Sequence, residues 1–357
     1  MSSPDGQPDH DLLATTVARA WRALTGPARA EHREPGEPCL IACSGGADSM
    51  ALAEALRPRA ESRAMKFVAE HTGRRFVIAH IVHDLRAPAT AHADRDLVQQ
   101  YAHRWQLPFA QRSIAVKALP GNAEANARKL RYAALRDIAI EHNLRFVATA
   151  HHQRDQAESV LLAMLRGAGP HGLSGIAPRR WLGIDKHEAQ GIRLIRPMLA
   201  VPAALCRDYL ERRAVSWCED HTNADTNLSR NRLRHRVLPL IEQCGWDVDA
   251  QLAAMAAVQR ETARHLARLA RRVGFAGPRW PRATLRSLDT VVLCEWARTL
   301  AMKHGASPDS IGQAALHALA RYARSPGTDP HTFYLGGIKL LITAHHAEVV
   351  YPAPPQA

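Results

Sequence analysis

Apolar residues in this chain fall into two alternating patterns. Short continuous runs, Cys39-Leu40-Ile41-Ala42-Cys43, Phe76-Val77-Ile78-Ala79-His80-Ile81-Val82, Ser113-Ile114-Ala115-Val116 and Phe146-Val147-Ala148-Thr149-Ala150, have the length of buried strands. Between them, apolar positions recur at helical spacing around Leu97 to Tyr101 and through Ala127, Leu130, Ala134 and Ile138. This alternation predicts βαβ units, hence an α/β fold with a doubly wound parallel sheet and right-handed crossovers. Such sheets bind ligands beyond the carboxyl ends of their strands, so functional residues are expected just after each apolar run.

The flanks read differently. Leu13, Val17, Trp21 and Leu24 predict a short leading helix before Gly26, and Gly167 to Gly175 reads as a mobile glycine-rich loop. Beyond it the pattern predicts a helix from Pro202 to Arg213, a polar connector from His221 to Asn227, a basic segment and a long helix reaching Arg272. Gly277 to Arg282, with Pro278 and Pro281, marks a boundary. Two more helices are expected, about Ala283 to Lys303 and Pro308 to Arg324, the latter capped by Ser307 with Pro308 in its first turn. Thr332 to Leu335, a Gly336-Gly337 turn, Ile338 to Ile342 and Glu348 to Tyr351 predict a closing β-meander. The expected organisation is an N-terminal extension with its helix (1–35), the sheet domain (36–215), a connector and basic helical region (216–276), and a small α+β domain (277–357) with no further domain after it.

Composition narrows the partners. A formal charge of +13 and a pI near 10.0 favour a polyanion, nucleic acid first, although an arginine-rich proteome would give the same balance. The six cysteines contain no C-x-x-C pair, which reads as a reduced, intracellular chain without a zinc finger or cluster, and Cys39 and Cys43 are expected to serve as small core residues. The N-terminus lacks a signal pattern and no apolar run approaches the ~20 residues that span a bilayer. A soluble, cytoplasmic protein without membrane contact is expected.

The chemistry concentrates after the first apolar run, in Ser44-Gly45-Gly46-Ala47-Asp48-Ser49. Two glycines allow close backbone approach to an anion, and the N–H groups, the following helix start and the hydroxyls of Ser44 and Ser49 make a phosphate cradle. Asp48 would repel phosphate unless a divalent cation lay between them, which points to Mg²⁺. No Walker-type G-x-x-x-x-G-K-S/T occurs, so an ordinary P-loop NTPase is excluded. After the fourth run, Asp155 and Glu158 stand three apart at a helix start, where both can face one pocket and bind a cation or an amine, or merely complement the helix dipole. His83, His151 and His152 suit hydrogen bonding near a nucleotide better than metal ligation. Arg128 and Arg131 sit near another helix start, where the dipole does not favour them, so a phosphate or carboxylate partner is expected, with surface pairing to Glu124 as the alternative. Arg230, Arg232, Arg234 and Arg236, and the one-turn stripe Arg260, Arg264, Arg268 and Arg272, are either solvated faces or grips on an RNA backbone.

The loop Ser44 to Ser49 is similar to the S-G-G-x-D-S loop of the N-type ATP pyrophosphatases. Further segments extend the likeness: His80-x-x-His83-x-Leu85-Arg86, Glu124-Ala125-x-x-Arg128-x-x-Arg131-Tyr132, His151-His152-x-x-Asp155-Gln156-Ala157-Glu158 with Leu165-Arg166-Gly167, and Trp217-x-Glu219-Asp220-x-Thr222-Asn223-x-Asp225 followed by Arg230-Asn231-Arg232-Leu233-Arg234-His235. Together they resemble the tRNA(Ile)-lysidine synthetases over residues 38–240. The resemblance implies ATP, Mg²⁺, free lysine and the isoleucine tRNA with a CAU anticodon, whose wobble cytidine would be adenylated and then attacked by lysine. It implies ATP binding by Ser44, Gly45, Gly46, Ala47, Asp48 and Ser49, Mg²⁺ at Asp48, and catalysis by Asp48, Asp155, Glu158 and Arg128. Lysine would be held by Asp155, Glu158 and Arg128, and the tRNA by Arg230, Asn231, Arg232 and Arg234, with Arg264 and Arg268 added from the charge stripe beyond the resembling segment. Two departures stand out: Val82 replaces a usual Asn or Asp, and Arg154 replaces the first Asp of a common Asp-Asp pair. A thiolating tRNA enzyme and a non-catalytic RNA-binding relative remain the alternatives, and the state of assembly, monomer or homodimer, is left open.

Overall fold

The computed structural model describes residues 12–26, 36–85, 87–182, 191–219, 229–275, 277–307 and 310–350. The predicted connector His221 to Asn227, together with Arg86, Asp220 and Pro308, lies outside the described residues.

The elements, in chain order, are α1 (Leu12–Thr25), β1 (Leu40–Ala42), α2 (Ala47–Ala60), α3 (Arg63–Thr72), β2 (Val77–His83), α4 (Pro88–Arg104), β3 (Phe109–Ile114), α5 (Ala123–Glu141), β4 (Phe146–Ala148), α6 (Gln153–Leu165), α7 (Pro170–Leu173), β5 (Arg179–Trp181), β6 (Arg193–Ile195) and α8 (Ala204–Arg212). They are followed by α9 (Ser229–Arg232), a π-helical turn at Leu233–Val237, α10 (Leu238–Gln243), α11 (Val248–Val273), β7 (Arg279–Pro281), α12 (Arg282–Arg286), α13 (Thr290–Lys303), α14 (Gln313–Arg324), β8 (His331–Leu335), β9 (Ile338–Ile342) and β10 (His346–Val350). None of the described helices is long and apolar enough to cross a membrane.

By packing, the chain forms two units, one from residues 1–158 and 176–253, the other from 159–175 and 254–357. The first holds a six-stranded sheet in the order β3-β2-β1-β4-β6-β5, parallel throughout except for the antiparallel edge pair β5 and β6. From β1 the chain steps outward to β2 and β3, then returns to β4 on the other side, so a topological switch point lies between β1 and β4. Both segments rich in candidate chemistry leave the sheet there. Leu40 and Ile41 are fully buried, and α2 is buried from Ser49 to Leu56, with Met50 to Ala53 inaccessible to water. A helix this apolar can only be an inner layer, which fixes the start of α2, and with it the loop before it, against the sheet.

Several expectations need correction. β3 starts at Phe109, earlier than the run Ser113 to Val116 suggested, and β5 and β6 escaped prediction because three residues carry too little periodicity. The glycine-rich stretch contains the helical turn α7. The helix expected from Ala283 to Lys303 breaks at Ser287 to Asp289, where Asp289 is extended and starts α13. α14 begins at Gln313, with Gly312 rather than Ser307 at its cap.

In the second unit, α13 and α14 share a core with a four-stranded antiparallel sheet, β7-β10-β9-β8. The proline-flanked segment read as a boundary supplies strand β7. Trp296 is fully buried and meets Trp280 edge-on at 5.2 Å. Arg282, 3% exposed, donates to the carbonyls of Tyr322 (2.8 Å), Ala323 (3.2 Å), Ser325 (3.0 Å), Gly327 (2.5 Å) and Thr343 (3.1 Å). One guanidinium thus satisfies the carbonyls that α14 leaves open at its C-terminus. Arg282→Met is expected to destabilise this unit by about 3–5 kcal/mol in urea unfolding, because the carbonyls stay buried without a donor. A loss below about 1 kcal/mol would show that water replaces the side chain.

Candidate active site

The turn after β1 is built from the inside. Gly45 has φ +91°, the left-handed region that favours glycine, and a Cβ there would meet the Asp94 carbonyl at 3.4 Å. Ser49 Oγ accepts from the Ser44 N–H at 3.1 Å and donates to the Gly46 carbonyl at 2.9 Å, closing the loop on itself. Gly46 caps α2 without a side-chain hydrogen bond, which leaves the first-turn N–H groups for an anion. Two further residues brace the turn: His80 Nδ1 donates to the Cys43 carbonyl at 2.9 Å, and the Cys218 N–H donates to the Gly45 carbonyl at 2.9 Å. Neither had been assigned a role from the sequence. A histidine inside an apolar strand was a usable signal; a backbone N–H more than 170 residues away was not.

Asp48 extends from this turn toward the segment after β4. Its Oδ2 lies 3.3 Å from His152 Nε2, and His152 Nδ1 lies 3.5 Å from Asp155 Oδ2. The His152 N–H also donates to Asp155 Oδ2 at 3.0 Å. Burial alone would push the His152 pKa down, but its hydrogen bond with Asp48 and the charges of Asp155 and Asp48 overcome this and raise it. The opposite holds one residue earlier. Burial, then the nearby Arg196, push His151 down to about 3, so it stays neutral, and Thr149 Oγ1 lies 3.0 Å from its Nδ1. Burial would raise Asp155, but the charges of His152 and Arg230 outweigh it and hold the carboxyl below its usual range. The charged His152 therefore contributes stability that is fully present below its unfolded pKa near ~6.5 and is lost as pH rises through its folded value. NMR titration should place the His152 midpoint above that of an ordinary histidine, and Asp48→Asn should lower it. A midpoint unaffected by Asp48→Asn would contradict the contact.

Asp155 and Glu158 share the same two partners, and both partners are guanidinium groups. Glu158 is fully buried; its Oε2 accepts from Arg230 Nε and its Oε1 from Arg234 Nε, both at 2.5 Å. Asp155 Oδ1 accepts from Arg230 Nη2 at 3.1 Å and Arg234 Nη2 at 3.2 Å. Arg230 and Arg234, read from the sequence as contacts to RNA, are thus turned onto the acids read as contacts to an amine. Spacing within one helix cannot reveal such a pairing across 72 or more residues. Asn231 is partly buried, while Arg232, Arg264 and Arg268 are exposed. Arg260, at the head of the stripe, donates to the Ser174 carbonyl at 2.9 Å. Arg128 is exposed on α5 and lies over the Tyr132 ring at 5.0 Å.

Arg154, the departure noted above, is a strut. It pairs with Glu242 and, at 3.0 Å, with Asp249 on α11, so it holds the helices around the site rather than a ligand in it. Burial pushes Asp249 up to about 6 despite this arginine. Cys206, fully buried on α8, also donates to Asp48; burial first, then that acid, push its thiol up.

No cluster of three or more His, Cys, Asp or Glu side chains that could hold a metal occurs among the described residues. That fits Mg²⁺ bound through one carboxylate plus substrate phosphates and water, and Asp48, with its side chain 49% exposed at the mouth of the cradle, suits the part.

A strand, a self-bonded glycine turn, a buried helix and a second acidic segment across the switch point define a PP-loop ATP-binding domain, and residues 14–241 match the family model described as a PP-loop domain. The U34-tRNA thiolase of Methanococcus maripaludis shares the fold, with a TM-score of 0.51 at 13% identity over 70% of this chain and 80% of that one. Similarity in sequence goes further. The chain is 35% identical over 359 residues to the tRNA(Ile)-lysidine synthase of Salinispora arenicola, covering 96% of this chain and 99% of that protein. It is 34% identical to that of Salinispora tropica, covering 95% and 98% respectively. With the synthase of Geobacter sulfurreducens it shares 35% identity over 67% of its own length, and spans about half, 48%, of that longer relative. The chain belongs to the tRNA(Ile)-lysidine synthase family.

Proposed function

We propose that this protein uses ATP to join free lysine to C2 of the wobble cytidine in the CAU-anticodon isoleucine tRNA. The observation that supports the reading is the line of contacts from the acid of the phosphate turn, Asp48, through His152 to Asp155, which with Glu158 is the acidic pair proposed for the amine.

In the first step the cytidine O2 attacks the α-phosphorus of ATP, and pyrophosphate leaves. Backbone N–H groups of the Ser44 to Ser49 turn stabilise the charge that builds on the leaving group. Mg²⁺ held at Asp48 would supply further charge neutralisation there. In the second step the lysine side-chain amine attacks C2, loses a proton, and AMP leaves with the former O2 oxygen. Asp155 and Glu158 hold lysine's charged groups, with Arg128 offered to its carboxylate or to the adenylate phosphate. Lysine's α-ammonium then takes the place of one of the two guanidinium groups while the other stays, so that both acids remain paired. The released arginine can grip the RNA backbone, and Asn231, Arg232, Arg264 and Arg268 extend that grip. The thiolase alternative loses ground because Cys43 and Cys206, beside the turn, are buried with raised thiol pKa values, the reverse of a reactive thiolate.

The test is ATP labelled in its α-phosphate, mixed with the cognate tRNA and no lysine. Label should enter the tRNA, and adding lysine should release it as AMP. Pyrophosphate formed without any tRNA would contradict adenylation of the nucleotide base.

A further inference from the structure

Four arginines, among them the site's Arg128, gather around one tyrosine, and Glu124 acts on Arg131 only through its charge. Arg128 and Arg131 on α5, Arg180 on β5 and Arg196 just after β6 surround the Tyr132 ring, the first three at 5.0, 6.0 and 4.8 Å from its centroid. Arg196 is 3% exposed and donates from Nη1 to the Ala177 carbonyl at 2.5 Å, but its buried Nε has no hydrogen-bond partner. Among the described residues no carboxylate pairs with any of the four. Other arginines of this unit are answered, as Arg57 is by Glu54, Arg145 by Glu37 and Arg154 by Asp249. The consequence is visible in the charges. Burial, with Arg180 and Arg128 beside it, pushes Arg196 down to about 10. Burial would raise the Tyr132 phenol, yet the four arginines pull it below its ordinary value. Mutual repulsion of this kind costs stability unless an anion relieves it.

We infer that Arg131, Arg180 and Arg196, bordered at their inner end by the site's Arg128, form a seat for backbone phosphodiesters of the RNA strand that carries the target nucleotide. The inference rests on the RNA substrate proposed above. Position separates this seat from the nucleotide cradle. Arg196 follows β6 and Arg180 lies on β5, two and three strands from β1, or about 10–14 Å at ordinary strand spacing. At its inner end Arg196 and Arg128 act on His151, which neighbours Asp155, so the seat adjoins the reacting centre. At its outer end Arg180 is exposed on the edge strand. A chain of phosphates entering from that edge would meet an exposed guanidinium first and the buried Arg196 last.

The opposite face of the same edge strand supplies a control. Alternation along β5 turns Arg179 and Trp181 away from Arg180, and Arg193 lies over the Trp181 ring at 4.4 Å. Arg179 and Arg193 carry the same charge but do not face Tyr132. Binding of the cognate tRNA by the full chain would be titrated against salt for wild type, Arg131→Ala/Arg180→Ala and Arg179→Ala/Arg193→Ala, without ATP. Binding of a non-hydrolysable ATP analogue would be measured without RNA. The first double variant should bind tRNA about 10- to 100-fold more weakly, with a salt slope flatter by roughly 1.4–1.8, and should keep the analogue. The control should retain the wild-type slope. If the first variant does not fold, exposed Arg180→Ala alone should flatten the slope by about half as much. An unchanged slope, equal flattening in the control, or loss of the analogue instead of tRNA would each overturn the seat while leaving the proposed reaction standing. A wild-type protein that binds no tRNA would overturn the reaction and the seat together.

Discussion

Replacing Asp48 by alanine should abolish ATP-dependent turnover, by about 10³-fold or more, and leave the fold intact. The two halves of this expectation have separate causes. Turnover should fall because the phosphate turn loses the carboxylate proposed to meet Mg²⁺, and because His152 loses an acid that opposes the effect of its burial. The fold survives because the Asp48 side chain is about half exposed and the turn is closed by Ser44, Ser49 and Gly46, none of which uses it. Pyrophosphate release and a thermal melt on the same sample check both. Normal turnover at ordinary Mg²⁺ in a well-folded variant would remove Asp48 from the chemistry.

The second large effect concerns the amine. Glu158→Gln and Asp155→Asn should each raise the lysine concentration needed for half-maximal rate by about 30- to 100-fold, the worth of a charge-assisted hydrogen bond. Adenylation of tRNA, followed without lysine, should suffer less. Amides are the right replacements here because Glu158 is fully buried between Arg230 and Arg234, and an alanine would leave a cavity and two unanswered guanidinium groups. If both variants keep the wild-type lysine dependence, the amine binds elsewhere and the two acids serve only to anchor the arginines.

What the sequence made legible was whatever lies close along the chain. The parallel sheet followed from four apolar runs, and the phosphate turn from six consecutive residues. Asp155 and Glu158 followed from one helical turn. What it hid depends on long-range register. Nothing in the local pattern shows that Arg230 and Arg234 close onto Glu158, or that Arg154 reaches Glu242 and Asp249, because each contact joins residues 72 or more apart that meet only in the folded chain. The arginine cluster at Tyr132 was half legible for the same reason. Arg128 and Arg131 share a helix, but Arg180 and Arg196 arrive on strands of three residues or their ends, too short to announce themselves. Secondary structure failed where local propensity was overridden: α12 and α13 read as one helix until Asp289 adopts an extended conformation.

The central claim is that one site couples ATP cleavage to lysine transfer onto a tRNA base. Its most direct measurement uses radiolabelled lysine, ATP and the isoleucine tRNA carrying a CAU anticodon, with a second tRNA in which the wobble cytidine is replaced by uridine. Label should enter the first tRNA only when ATP is present, with one AMP and one pyrophosphate formed for each lysine joined, and should not enter the second. Label in neither tRNA while ATP is consumed, or equal label in both, would contradict the account.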